Sequence, residues 1–337
     1  MGLKFYYQFL SASECNIYRE IVKGIEKRKK SIRVLGNGKQ TEKILNFVYY
    51  DYPEFFYVDT TKTTLQTSNV TTVLQIGYHK NTEQIKAIEQ KLEIVSMKFL
   101  NKLEKTKMDN LSLIRYVHNF IIKNTEYAME NKEQGQVYGD VSSIHGVFLN
   151  HKALCKGIAL AAKWLLDKAG IMSAVMEGRM IDQDSPRLEH YTGSCNEINH
   201  AWNLVCVNDI WHFMDVTMDL GRSKKDWICY DYFLRNKEIF DAYVQYRDLY
   251  VFCKEELYSY FVICKVAFSD REILKKYLAY CKKKHKKRIY FQLKGEASNI
   301  TEEQIIELVG QYITGECRYR VNKKLYIYDI FISEERI

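Results

Sequence analysis

From Cys155 to Gly170 the apolar residues keep a helical repeat. Ile158, Ala161, Ala162, Leu165 and Ala169 follow the i, i+3, i+4, i+7 spacing of one apolar stripe. Lys156, Lys163 and Asp167 read as a polar stripe on another face. Gly170 stands where a left-handed C-terminal cap is expected. Gly157 and the alanines allow partner elements to approach closely. Cys155 lies in the first turn, in register with Ala159, Ala162 and Leu166, so its sulfur is expected towards the core. A helix start offers unpaired N–H groups and partial positive charge, which favour a thiolate. A buried structural cysteine would fit the same helix.

Residues 200–207 read as a strand, Asn208-Asp209 as a two-residue turn, and residues 210–216 as the return strand. With that turn Val207 pairs with Ile210, Trp202 with Asp215 and His200 with Thr217. His200 and Asp215 then become diagonal neighbours on one face, with Cα atoms about 7–8 Å apart. A three-residue turn would put them on opposite faces. A carboxylate holding an imidazole fixes its tautomer and leaves the other nitrogen for a thiol proton. A strand-end histidine with an unrelated acid is the plain alternative.

The residues around these three positions carry a resemblance. Cys155-Lys156-Gly157, Gly170-Ile171, Gly178, His200-Ala201-Trp202-Asn203 and Asp215-Val216-Thr217 closely resemble the core of the transglutaminase-like superfamily, with its C-x-G helix, H-A-W strand and D-x-T strand. Residues 138–154 with Ser143-Ile144-His145-Gly146, the segment Tyr230-Asp231-Tyr232-Phe233-Leu234 and the upstream Asp51-Tyr52-Pro53-Glu54-Phe55-Phe56 are similar to elements of bacterial members. Coverage runs from about residue 5 to 245. Met218 departs from the pattern, since relatives often carry tryptophan before the position of Asp219. The resemblance implies an α+β fold with a papain/transglutaminase-like core: a helix bearing the cysteine packed on an antiparallel sheet bearing histidine and aspartate.

Whole-chain properties narrow the remaining classes. The 337 residues, 47% hydrophobic, suffice for two or three packed units. The first residues lack the apolar run of a signal peptide, and no uninterrupted run of about 18 apolar residues suggests a membrane span. Nine cysteines without CxxC pairs fit reduced thiols in a cytoplasmic protein better than disulfides or a zinc site. The charge of +8 is moderate for this length, so no nucleic-acid partner is expected. The densest basic run, residues 282–288, reads as a solvated helix end, with an anionic surface as the other use.

Three modules are expected. Residues 1–80 form a small α+β module, opened by a capping box at Ser11–Glu14, with helices to about 29 and over 41–50, a strand at 31–35 and a hairpin within 57–76. Residues 81–245 form the core, led by amphipathic helices over 81–105 and 110–130. His118 falls near the apolar face of the second and reads as a satisfied core histidine. Residues 134–151 read as loop, with His145 and His151 near the cleft but neither taken as the base. Residues 182–197 read as a polar loop over the cleft; Asp182 and Asp184 carry only part of a calcium-loop spacing. Residues 246–337 form a second α+β module, with a ferredoxin-like arrangement as one expectation: a strand at 258–268, a helix at 270–284, a strand at 288–293, a helix at 301–313 and a final hairpin.

The resemblance implies cysteine-dependent acyl transfer on a protein or peptide substrate. Cys155 is the expected nucleophile, His200 the base and Asp215 its orienter, with no metal or organic cofactor. N–H groups at the Cys155 helix start are expected in the oxyanion hole, with a side-chain donor from residues 138–151. Hydrolysis gives a protease or amidase, and transfer to an amine gives a cross-linker. A catalytically silent binding module is the competing reading.

Overall fold

The structure is a computed structural model that describes residues 4–181, 198–224, 227–246, 252–313 and 315–332. The expected loop at 182–197, with Asp182 and Asp184, lies outside the described residues. The chain mixes helix and sheet and divides into two compact units, Met1–Glu255 and Glu256–Ile337.

The first unit begins with α1 (Ala12–Glu26), β1 (Ser31–Leu35), α2 (Gly38–Asp51), β2 (Val58–Thr67) and β3 (Thr71–Tyr78). The capping box at Ser11 and Glu14 closes the α1 N-terminus as the sequence indicates. The strands form an antiparallel sheet in the order β1-β3-β2. Gly24 of α1 lies so close over β1 that a methyl group there would meet Ile32 at 2.4 Å. Asp51, buried at the end of α2, gathers the N-terminal segment: its carboxylate accepts the N–H of Tyr6 (3.1 Å) and the hydroxyl of Tyr18 (2.8 Å).

Next come α3 (Thr82–Thr106), α4 (Asn110–Asn124), β4 (Glu126–Tyr127), α5 (Met129–Glu133) and β5 (Lys152–Ala153). The helix expected over 110–130 stops at Asn124. Thr125 is extended, and the backbone N–H groups of Glu126 and Ala128 turn to the carbonyls of His151 and Ala153. The stretch 134–151 is also more ordered than a loop, with a 3-10 turn at Gly139–Ser142 and a π-turn at Gly146–Asn150.

The central layer is α6 (Cys155–Lys168) against an antiparallel sheet of β6 (Ser173–Met180), β7 (His200–Val207), β8 (Ile210–Met214) and β9 (Val244–Tyr246), in the order β8-β7-β6-β9. Then follow α7 (Val216–Arg222) and α8 (Lys237–Asp241), ahead of β9 in sequence. Gly170, at φ +76°, ends α6: its N–H bonds to Asp167 and that of Ile171 to Leu166, a paired closure of the last turn. Asn203 of β7 donates from Nδ2 to the carbonyl of Ala159 (2.9 Å), tying the histidine strand to the cysteine helix.

One expected polar position of α6 is buried. Lys163 has no exposed side-chain surface; its ammonium donates to both carboxylate oxygens of Asp167 (3.0 and 2.9 Å) and to the carbonyl of Ser173 (3.0 Å). Three acceptors thus surround an ammonium that has no access to water.

The second unit contains α9 (Tyr260–Ile263), β10 (Ala267–Phe268), α10 (Arg271–Lys283), β11 (Arg288–Leu293), α11 (Glu302–Tyr312), β12 (Cys317–Asn322) and β13 (Ile327–Ile332). The strand expected over 258–268 is instead one helical turn followed by a two-residue strand: the N–H groups of Ile263 and Val266 close on the carbonyls of Ser259 and Phe261, and Phe261 packs edge-on against Tyr290 at 4.9 Å. The sheet order is β10-β11-β13-β12, with β10 parallel to β11. The element sequence is therefore β-α-β-α-β-β. A ferredoxin-like module would need β-α-β-β-α-β, so that expectation is corrected. The basic run forms the exposed end of α10 and the turn after it.

Two substitutions test the packing of α6. A methyl group at Gly157 would stand 2.7 Å from the carbonyl of Val141 and 3.0 Å from the N–H of Ser143. Gly157→Ala should cost about 1–3 kcal/mol in urea unfolding, the usual cost of overpacking. Lys163→Met should cost about 3–5 kcal/mol, because it strips the cation from an enclosed carboxylate. Unchanged midpoints would contradict these contacts.

Candidate active site

The tight turn at Asn208-Asp209 sets the hairpin register. Both residues have positive φ, 49° and 65°, as a mirror-type two-residue turn requires. Val207 pairs with Ile210, and the ladder continues to Asn203 opposite Met214. There it stops. Asp215 was expected within the strand, opposite Trp202, but it is the N-cap of α7. Its Oδ1 accepts the N–H of Met218 (3.0 Å), and its own N–H bonds to the carbonyl of Tyr232 (3.0 Å). An aspartate at this position satisfies a helix donor that has no other partner.

That cap leaves the second carboxylate oxygen facing β7. Nε2 of His200 donates to Oδ2 of Asp215 at 2.6 Å, with both side chains buried. The bond assigns Nε2 to the carboxylate and leaves Nδ1 for another partner; the Cys155 thiol is near enough to act on this imidazole, and both residues line one cleft. Burial opposes a charge on this imidazole. The negative Asp215, its hydrogen bond and Cys155 outweigh burial and raise His200 to about 10. The structure thus brings all three sequence-singled residues to one place.

Trp202 lies beside this group. Its ring stacks on His200 at 5.9 Å and 27°, and it pairs across the ladder with Met176 rather than with Asp215. Gly178 makes room for it: a methyl group there would meet the indole at 2.8 Å and the carbonyl of Gln245 at 2.2 Å.

Cys155 and His200 open onto a cleft of about 520 Å³. Its floor includes Leu154 and Leu160, and one wall is made by aromatic residues between Tyr49 and Phe56. Tyr127 stands on another side. Nothing in the sequence spacing marks this residue. It reaches the cleft because the two-residue strand β4 runs parallel to β5, with Tyr127 beside Ala153, two residues before the cysteine. Burial, with Cys155 and Asp215 adding to it, pushes its phenol up.

The other histidines are engaged elsewhere. His118 is fully buried and bonds through Nε2 to Asp219 (3.0 Å), one turn after Asp215 on α7, as befits a satisfied core histidine. Burial moves the Asp219 carboxyl up to about 6 against the pull of His118. His145 sits 2.9 Å from Asp140. Burial works against the Asp140 charge, but His145 and Lys80 hold it down to about 2. His151 is exposed and its Nδ1 bonds to the carbonyl of Asn124 (2.9 Å). Neither lines the cleft. Among the described residues no group of three His, Cys, Asp or Glu side chains is placed to hold a metal ion, every cysteine is a free thiol, and no helix is long and apolar enough to cross a membrane.

The charge on His200 has a sign that can be followed. Its folded value lies above the ordinary imidazole value, so the stability it adds is full below about pH 6.5 and is lost as pH rises through about 10. In an NMR titration its ring protons should stay in the imidazolium position through neutral pH and move only in alkaline solution. Asp215→Asn should bring that midpoint down towards the ordinary range. Titration of the wild-type ring near neutrality would contradict the buried pair.

No known protein-family profile matches the chain, and neither does any curated protein. Among solved structures, a crystal structure of a TGase aligns with a TM-score of 0.31 and 16% identity, over 58% of this chain and 52% of that one. A putative protease from Parabacteroides distasonis aligns with a TM-score of 0.28 and 13% identity, over 45% of this chain and 35% of that one. The chain spans about half the length of the first and about a third of the second. The likeness to a transglutaminase and to a protease is weak.

Proposed function

We propose that this chain is a cysteine-dependent acyl-transfer enzyme acting on peptide or carboxamide bonds. The observation that carries the reading is the 2.6 Å bond from His200 to Asp215, on an imidazole that Cys155 also influences and that shares a cleft with it. An isolated core cysteine needs neither the buried carboxylate nor access to a cleft.

In this reading the thiol proton already rests on His200 before substrate is attacked, and Asp215 holds the resulting imidazolium. The sulfur attacks the amide carbonyl and the carbonyl π electrons move to oxygen. The oxyanion is stabilised by N–H groups at the start of α6, where helix geometry leaves them without intrahelical acceptors. As the tetrahedral species collapses, the C–N bond breaks and His200 gives its proton to the leaving amine. The thioester is then resolved by water, giving an acid, or by a primary amine, giving a new amide. Hydrolysis is the preferred outcome, with amine transfer as the second. The raised imidazole supports the cycle, since a ring that stays charged at neutral pH is ready to protonate the amine.

The test is chemical. With a glutamine-containing peptide amide, wild type should release product, and an added primary amine shows whether transfer competes with hydrolysis. Cys155→Ala should abolish turnover, and Asp215→Asn should lower kcat by about 10²–10⁴-fold through loss of the oriented imidazolium. At pH 6, iodoacetamide should alkylate Cys155 well ahead of the other described thiols, in a manner that depends on His200. If turnover survives Cys155→Ala unchanged, the reading is wrong. If no amide is turned over and Cys155 reacts like its neighbours, the silent binding module takes its place.

A further inference from the structure

One wall of the cleft that the proposed nucleophile also lines has a definite chemistry. It is built from the end of α2 and the turn after it, where Tyr49, Tyr50, Tyr52, Phe55 and Phe56 line the same cleft as Cys155. These rings are held from behind. Tyr52 and Phe55 stack at 4.8 Å and 6°, with Pro53 opening the one-turn helix between them. Asp51, in the middle of the run, is the buried carboxylate that gathers Tyr6 and Tyr18. The wall is tied to the sheet where the tyrosine hydroxyl of residue Tyr50 donates to Glu177 at 2.6 Å.

The charges beside Cys155 pair with one another. Lys156, next to the nucleophile, pairs with Glu177 at 3.0 Å, and its ammonium lies 5.4 Å from the ring of Tyr50. A cation and an anion that already satisfy one another offer little to a charged guest. An anionic side chain would shed water against the ring faces without gaining a partner, and the faces of Tyr50 and Tyr52 that would attract a cation already carry Lys156 and Lys4, at 5.4 and 3.6 Å. An aromatic or large apolar side chain would lose only unfavourable hydration there and would find rings to pack against.

We propose that this aromatic wall is an acyl-donor subsite, and that the favoured substrates are peptides with an aromatic or large uncharged side chain next to the attacked carbonyl. The proposal rests on the acyl-transfer reading of Cys155 and adds the substrate class. It also gives the N-terminal segment a role in specificity that the nucleophile, base and orienter do not supply.

The experiment compares labelling rates of full-length wild-type protein with peptidyl chloromethyl ketones that differ only at the residue bearing the reactive group: Phe, Leu, Asp or Lys. In each, the sulfur displaces chloride and forms a C–S bond, so peptide mapping reads modification at Cys155 directly. Iodoacetamide, which has no side chain to recognise, is run in parallel on wild type and His200→Ala. The Phe reagent should modify Cys155 at least about 30-fold faster than the Asp or Lys reagent, within the range that one apolar pocket discriminates. In Tyr52→Ser that ratio should shrink several-fold. Equal rates for Phe, Asp and Lys, or faster labelling by a charged reagent, overturn the subsite while the iodoacetamide contrast still stands. Loss of that contrast between wild type and His200→Ala removes the nucleophile reading and the subsite together.

Discussion

A single carboxylate joins the local and the long-range organisation of this site. Asp215 uses one oxygen to cap α7 and the other to hold His200. The two uses depend on each other. The cap fixes where the carboxylate stands, and a fixed carboxylate fixes the imidazole. Replacing strand by helix at this point is therefore not a detail of secondary structure: an aspartate continuing in the ladder would have met β7 side by side, at the distance of a diagonal pair. As a cap it approaches from the ladder's end and forms a bond of 2.6 Å. Low exposure keeps the pair out of water, where its attraction would be weak.

The cysteine side of the site depends on close backbone approach. The segment around Val141–Ser143 crosses the start of α6, and Val141 accepts the N–H of Leu154 just ahead of the helix (2.8 Å). Only glycine at position 157 leaves room for that crossing. Asn203 then fastens the helix to the strand that carries His200. Thus the thiol, the imidazole and the carboxylate sit on three elements that are each bonded to another, which is how a rigid frame keeps side chains aligned.

Much of this was legible in the sequence because it rests on short-range rules. The turn at Asn208-Asp209 names its own type, and the turn sets the register. The cap at Gly170 and the box at Ser11 follow from chemistry within a few residues. What was not legible depends on distant partners. Lys163 looked like a surface residue because its spacing matched a polar stripe; it is buried because Ser173, from the next strand, closes over it. Tyr127 carried no mark, since its place is set by a two-residue strand pairing. The 258–268 stretch misled because a short apolar run has no period to separate strand from helix. In the second unit, local strand and helix assignments could be largely right while the order of elements, and with it the ferredoxin-like expectation, was not.

The account stands or falls on how Sγ, the imidazole and the α6 N–H groups face a reacting carbonyl. The most direct measurement is a crystal structure of the protein with a peptide aldehyde carrying phenylalanine at its reactive end. The expected result is a covalent bond from Cys155 Sγ to the aldehyde carbon, the new oxygen at the N-terminus of α6, and His200 between the sulfur and Asp215 with Nδ1 towards the adduct. An adduct on another thiol, or an imidazole turned away from the sulfur and bonded elsewhere, would contradict it.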